Sequence, residues 1–261
     1  MRMTFFSTIF RFCCVLVCFG FLAPSPAAGQ PQTSTINNQV FSVNELVGFG
    51  FHRLAKIEPN FQQWVQRMPA YMNAPPMEKQ NIMSNELHRL QNGFFQYRAE
   101  DHPIRIRLDG NILASNTFPQ SQMDGTVTTV QLSLDGLPGA HIPVQVGNLW
   151  VAIIVEDIER FMEMRMNRRE YNDFARQSAL RSTSNRNADV VIDLVLRPVF
   201  VDTTQSMRIE GLEMWPMLME IGNFTMWHKH RSREMHEMYV FNAPWFVSSA
   251  EQNLFDIYRN R

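Results

Sequence analysis

The chain has 261 residues, of which 45% are apolar and 19% are charged, and its formal net charge is −1. This composition excludes an intrinsically disordered chain and a collagen-like repeat. The near-zero charge argues against a strongly basic nucleic-acid-binding protein, so we expect no nucleic-acid partner. The length allows one domain or two small ones, with a sizeable apolar core.

The beginning of the chain has the features of an export signal. Arg2 and Arg11 precede an apolar run over residues 12–23. This run is long enough for a signal-peptide core but short for a bilayer span of about 20 residues. Small residues follow, and they place a cleavage site after Ala27 or Gly29. We interpret residues 1–29 as a signal peptide and expect a periplasmic or secreted protein with no membrane span after cleavage; an uncleaved N-terminal anchor is the alternative.

The three cysteines, Cys13, Cys14 and Cys18, all lie in this segment. Its removal leaves the mature chain without a disulfide, a thiolate metal site or a cysteine nucleophile. Methionine is abundant, with 17 in the chain, and only Met1 and Met3 lie near the start. Methionine is therefore the soft metal ligand that remains after export.

Residues 30–100 are predicted to be a polar leader followed by helices. Residues 30–41 are rich in Gln, Thr, Ser and Asn and lack periodicity, which predicts a flexible leader. The segment Ser42–Glu45 has the spacing of a capping box, which predicts the start of a first helix. Apolar residues at helical spacing predict a second helix over 61–68 and a third from Pro76 to about Arg98. We therefore assign residues 42–100 to a helical region.

Beyond residue 103 the apolar period changes from about four to two, which predicts a strand over 104–109. Three Gly-Asn dipeptides follow, and this dipeptide suits a two-residue hairpin turn. They are Gly110-Asn111, Gly147-Asn148 and Gly222-Asn223. For the second turn, the predicted pairs are Val146 with Leu149, Val144 with Val151, and Ile142 with Ile153.

The remaining elements complete an α+β fold. The pattern predicts a helix from residue 156 to about 180, a strand over 189–202 and a last helix over 248–258. Hairpins between helices, without regular strand-helix alternation, favour a mainly antiparallel sheet. We therefore predict N-terminal helices followed by an α+β region over 101–261, built from antiparallel hairpins with an intervening helix and a C-terminal helix. This region is expected to pack with residues 42–100 as one domain.

The third Gly-Asn turn predicts a candidate metal site. A hairpin there places Met219 opposite Met226 and Met217 opposite His228 on one face of the sheet. Methionine and histidine suit Cu(I) or Ag(I), and an indole adds a cation–π contact. These residue types are similar to those of small periplasmic copper(I)- and silver(I)-binding proteins. The predicted ligands are Met217, Met219, Met226, His228 and His230, with Trp215 adjacent. The alternative is that this face is ordinary core, where methionine is a common gap-filler.

A second candidate metal site lies in the segment His228–His236. It contains three histidines, with Glu234 and Glu237 nearby, and these residue types suit Zn²⁺. A metal-dependent hydrolase is thus one hypothesis, although His236 lacks the second histidine four residues on that a zinc-protease helix requires. The alternative is a solvated charged loop.

Recognised enzyme motifs are absent from the sequence: there is no G-x-S-x-G elbow and no phosphate-binding glycine-rich loop. Glu156, Asp157 and Glu159 can supply acid–base carboxylates, but a helix N-terminus favours the same residues. We therefore expect an exported, non-enzymatic cell-envelope or secreted protein that binds a macromolecular partner or a small ligand. Soft-metal binding is the first alternative and a metal-dependent hydrolase the second.

Overall fold

The structure is a computed structural model of the chain. It describes residues 33–114, 128–134, 141–177, 187–209, 211–229 and 235–246. The predicted signal peptide and the helix predicted over 248–258 lie outside these residues. None of the helices described is long and apolar enough to cross a bilayer. The described residues form helices and one large sheet, in agreement with the predicted α+β class.

A small hairpin replaces much of the expected flexible leader. Its strands are β1 (Thr33–Ile36) and β2 (Gln39–Ser42), which pair antiparallel. Asn37 and Asn38 connect them with φ angles of 47° and 64°. Positive φ at both central residues is what a two-residue hairpin turn requires, and asparagine tolerates it. Ile36 and Phe41 are buried in the core, so burial of two apolar residues orders a segment that is otherwise polar.

The three predicted helices of the next region are confirmed, and a short fourth lies between them. The helices are α1 (Val43–Ala55), α2 (Phe61–Arg67), α3 (Pro69–Met72) and α4 (Pro76–Gln96). Ser42 caps α1: its hydroxyl accepts a hydrogen bond from the Glu45 amide at 3.3 Å, and the Glu45 carboxylate accepts one from the Ser42 amide at 2.7 Å. Arg89 of α4 forms an ion pair with Glu45. The predicted capping box therefore also ties α1 to α4.

The large sheet has nine strands in the part of the chain that the structure describes. They are β3 (Ile104–Ala114), β4 (Thr128–Leu134), β5 (His141–Val146), β6 (Leu149–Val155), β7 (Glu163–Met166), β8 (Asn187–Val201), β9 (Met207–Ile209), β10 (Leu212–Lys229) and β11 (Met235–Asn242). The order is β5-β6-β10-β8-β3-β4-β7, and β9 and β11 also pair with β10. β8 confirms the strand predicted over 189–202.

The sheet is mixed, so the prediction of a mainly antiparallel sheet is wrong. β6 and β10 pair in parallel, with Trp215 opposite Val151 and Met219 opposite Val155. A parallel pair needs a crossover connection, and here the chain between the two strands contains further helices and strands. A turn motif in the sequence predicts pairing only between strands that are consecutive in the chain. The sequence therefore contains no local signal for the pairing of β6 with β10.

Only the second Gly-Asn dipeptide forms the predicted turn. Gly147 has a φ of 56°, and the three predicted pairs across β5 and β6 are all present. Gly110-Asn111 lies inside β3 and Gly222-Asn223 inside β10. Gly222 is an extra residue where the pairing of β10 with β8 shifts, which identifies a β-bulge. The hairpins predicted at these two dipeptides are wrong because the strands continue through them.

The long helix predicted over 156–180 is also wrong. The segment divides into a short helix α5, the strand β7 and a helix α6; α5 spans Glu159–Met162 and α6 spans Arg168–Gln177. Met164 and Met166 are buried and alternate with exposed charged residues along β7. This period of two suits a strand beside β4 and does not suit one face of a helix.

Trp64 of α2 holds the helices against the sheet. A Cβ placed on Gly48 of α1 would lie 2.4 Å from the Trp64 ring, and one on Gly147 would lie 2.2 Å from it. Only glycine at these two positions lets α1 and the β5–β6 turn approach the indole so closely. The helical layer and the large sheet thus share one apolar core.

Candidate functional site

The structure does not bring the predicted soft-metal ligands together. β10 is one continuous strand, so Met217 and His228 lie 11 residues apart along it (228 − 217), roughly 36 Å at about 3.3 Å per residue. Met219 lies between Val155 and Pro198 in the neighbouring strands and does not oppose Met226. His230 is outside the described residues. Soft-metal binding by this set stays a prediction from the sequence.

The three described methionines of this set lie in the core. Met217, Met219 and Met226 have 0% exposed surface and belong to the apolar core cluster. Trp215 is partly buried and packs against the same cluster. The alternative interpretation, in which methionine fills irregular space behind the sheet, agrees with this burial.

Two of the three histidines of the second candidate site lie directly opposite each other on neighbouring strands. His228 of β10 pairs with His236 of β11 in the antiparallel register, and the His228 side chain is buried. His230 and Glu234 lie outside the described residues. Among the residues that the structure describes, no group of three or more His, Cys, Asp or Glu is placed to hold a metal ion. The hydrolase hypothesis therefore also stays a prediction.

An apolar cavity of about 210 Å³ lies within the large sheet, and we call it the sheet cavity. Its lining comes from β4, β5, β6, β8 and the segment around α5: Leu132, Ser133, Leu134, Ile142, Val155, Ile158, Glu159, Met162 and Leu194. In the strand order, β6, β10, β8 and β3 all lie between β5 and β4. A flat sheet would separate β5 from β4 by about 24 Å at about 4.8 Å per strand. Because both strands line one small cavity, the sheet is strongly curved and the cavity lies on its concave side.

Helix α5 is anchored beside the cavity by aromatic contacts. The Phe161 ring stacks on Phe224 of β10, with 4.3 Å between the centroids and 10° between the planes. The Arg160 guanidinium lies 4.0 Å from the centre of the Phe241 ring of β11. These contacts hold the short helix in place, and its remaining residues, Glu159 and Met162, line the cavity.

A cleft of about 440 Å³ that carries two glutamates adjoins the sheet cavity, and we call it the acidic cleft. The two share Leu132, Ser133, Glu159 and Met162. The cleft adds two amide side chains and a second carboxylate, from Asn111, Gln131 and Glu163, together with Leu113. The combined site is thus apolar at one end and rich in hydrogen-bond acceptors at the other.

The two carboxylates of the acidic cleft differ in their partners. Glu163 forms an exposed ion pair with Arg165, with 3.3 Å between the guanidinium nitrogen and the carboxylate oxygen. Glu159 is exposed, and no residue within the described ranges forms an ion pair with it. Its charge is therefore available at the junction of cleft and cavity.

Sequence reasoning found one residue of this site and missed the others. Glu159 was among the candidate carboxylates, but the apolar lining was not, because Leu132 and Leu194 meet only when the sheet curls. The helix predicted over 156–180 also hid the short α5. The alternation of Leu132 and Leu134 with polar neighbours was the one local signal of a strand that turns one face inward.

Comparisons of the chain with protein-family models, curated proteins and solved structures give no match.

Proposed function

We propose that this chain is an exported, non-enzymatic protein that binds a small amphiphilic ligand. The apolar part of the ligand occupies the sheet cavity, and its polar head lies in the acidic cleft. The observation that carries this proposal is the apolar cavity that shares four lining residues with a cleft carrying two carboxylates. Export is inferred from the signal sequence alone.

The size of the sheet cavity suits one ring or a short alkyl chain. An apolar cavity of about 150 Å³ is large enough to hold benzene, so about 210 Å³ holds a slightly larger group. Curled sheets of about eight strands have interiors that can hold one small ligand. Removing such a group from water is favourable in proportion to its apolar area.

The polar end of the site favours a cationic head. Glu159 can form a charge-assisted hydrogen bond with a protonated amine, and the cleft amides and the Ser133 hydroxyl can bind further donors. An anionic head would be repelled by Glu159, whereas Arg165 offsets the charge of Glu163. We therefore expect the ligand to carry an amine or another hydrogen-bond-donating cation.

Three probes that share a phenylethyl group test this proposal. The purified chain is titrated by calorimetry with 2-phenylethylamine, 2-phenylethanol and 3-phenylpropionate. We expect the amine to bind most tightly and the carboxylate most weakly. Equal binding of all three would contradict the role of the cleft, and no binding of any would contradict the proposed function.

A charge-removing variant tests the role of Glu159. Glu159→Gln is expected to weaken 2-phenylethylamine binding about fivefold, because an exposed ion pair contributes about 1 kcal/mol at most. Binding of 2-phenylethanol should hardly change. Glu58→Gln, at an exposed position in the loop after α1, is the matched control and should leave both affinities unchanged. An equal effect of both substitutions would contradict the assignment.

A further inference from the structure

A groove of about 440 Å³, separate from the sheet cavity and the acidic cleft, lies between α1, the end of α4 and β8. We call it the helix-end groove. Gly50 and Leu54 come from α1, Phe95 from α4 and Pro198 from β8. Tyr97, which ends α4, lines the groove beside them. None of these residues belongs to the sheet cavity or the acidic cleft.

The buried phenol of Tyr97 lacks a hydrogen-bond partner. The residue is only 4% exposed, and no group in the described part of the chain accepts its hydroxyl hydrogen. Burial raises the pKa of the phenol, and the nearby Glu100 carboxylate raises it further. The hydroxyl therefore stays protonated as a donor. A buried donor without an acceptor is unfavourable, so an acceptor that reaches it gains a full hydrogen bond.

Gly50 of α1 lies close to this hydroxyl and to Pro198 of β8. A Cβ placed on Gly50 would stand 3.5 Å from the Tyr97 oxygen and 2.8 Å from Cγ of Pro198. The close approach of α1 to β8 therefore requires glycine, and the Pro198 ring packs against the α1 backbone next to the phenol. Because the hydroxyl is buried, a bound group reaches it only if the Tyr97 ring moves outward.

The charges that line the groove are two arginines and one glutamate. Arg53 is held in place because its guanidinium donates hydrogen bonds to the Phe94 carbonyl at 3.1 and 2.7 Å and to the Phe95 carbonyl at 2.7 Å. Arg98 is exposed, and no residue among those described is its ion-pair partner. Glu100 opposes an anion, but the lining as a whole is positive.

We infer that the helix-end groove binds a carboxylate carried on an apolar body. Tyr97 donates a hydrogen bond to a carboxylate oxygen, and the guanidinium of Arg98 pairs with the charge. Leu54 and Phe95 are 38% and 63% exposed on the walls and contact the apolar body. This site is separate from the proposed function, and either can fail without the other.

The probes for this inference are 2-naphthoate and its neutral analogue 2-naphthamide, titrated by calorimetry. We expect 2-naphthoate to bind more tightly. Tyr97→Phe should weaken 2-naphthoate binding about tenfold, the size expected for a hydrogen bond to a charged group, and Arg98→Gln about fivefold, the most expected for an exposed ion pair. Tyr71→Phe and Arg208→Gln are the matched controls and should leave its affinity unchanged.

Two further measurements check that the variants fold and that the helix-end groove is independent of the sheet cavity. Tyr97→Phe removes an unpartnered hydroxyl and keeps the ring, so its melting temperature should equal or exceed that of the parent chain. Met162→Trp, which fills the sheet cavity, should not change 2-naphthoate binding. Equal binding of the acid and the amide, unchanged affinity in Tyr97→Phe and Arg98→Gln, or loss of binding in Met162→Trp would overturn the inference.

Discussion

At the scale of single residues, Asp193 joins the three central strands of the sheet. Its carboxylate accepts two hydrogen bonds from the Arg107 guanidinium of β3, at 2.6 and 2.8 Å. It accepts a third, at 2.9 Å, from Nε1 of Trp227 on β10. The Asp193 side chain, on β8, is 23% exposed, so these charge-assisted hydrogen bonds are partly shielded from water.

Asp193→Ala is expected to lower the free energy of unfolding by about 2 kcal/mol, because it leaves a guanidinium and an indole N–H without their acceptor. Urea denaturation measures the loss. Glu163→Ala, which removes only the exposed pair with Arg165, is the control and should cost less than about 1 kcal/mol. Similar losses in the two variants would show that Asp193 does not link the strands.

His52 gives the fold a pH dependence. Burial lowers its pKa, although the hydrogen bond that Nδ1 donates to the Ile57 carbonyl at 3.1 Å opposes this shift. The unfolded chain has the ordinary histidine pKa of about 6.5 and therefore binds a proton more readily than the folded chain. The stability that depends on neutral His52 is complete above pH 6.5 and is lost as the pH falls toward the lower folded-state pKa. Burial also lowers the pKa of His102, which adds to the same trend.

His52→Gln should therefore make the free energy of unfolding less dependent on pH between pH 7.5 and pH 5.5, even if the variant is less stable overall. Urea denaturation at several pH values in this range measures the slope. His88→Gln, at an exposed position on α4, is the control and should keep the slope of the parent chain. A parent-like slope in His52→Gln would contradict the assignment.

At the scale of elements, the start of α1 rests on its capping box. Ser42→Ala is expected to destabilise the fold by about 1 kcal/mol, because the first turn loses an acceptor for its free amides. Ser84→Ala, at an exposed interior position of α4, should be neutral or slightly stabilising because alanine is the better helix former. Thermal and urea denaturation compare the two, and equal effects would contradict the role of the cap.

The elements that were predicted correctly depend on residues close together in the chain. The Ser42–Glu45 capping box and the Gly147-Asn148 turn each contain their own geometry, and both are present. The hairpin predicted at Gly222-Asn223 failed because β8 and β6, far away in the sequence, pair along β10 and keep it extended. The helix predicted over 156–180 failed for a related reason, since β4 recruits part of it as β7.

At the scale of the whole molecule, the candidate site is a product of sheet curvature. Leu132 of β4 and Ile142 of β5 face one cavity only because the intervening strands curl. Bulges increase local twist, and β10 carries register shifts against both β8 and β11. Curvature of this kind is set by long-range pairing, and the sequence pattern contains only the alternation of apolar and polar residues. The cavity could therefore not be predicted from the sequence, whereas Glu159 could be selected by its residue type.

The central claim is that the apolar part of the ligand enters the sheet cavity, and the most direct test is the affinity for 2-phenylethylamine of two matched variants. Met162 is half-buried and lines both cavity and cleft, whereas Met77 is 92% exposed on α4. Met162→Trp should weaken binding at least tenfold because the indole fills the cavity, and Met77→Trp should leave it unchanged. Equal affinities of the two folded variants would contradict the account.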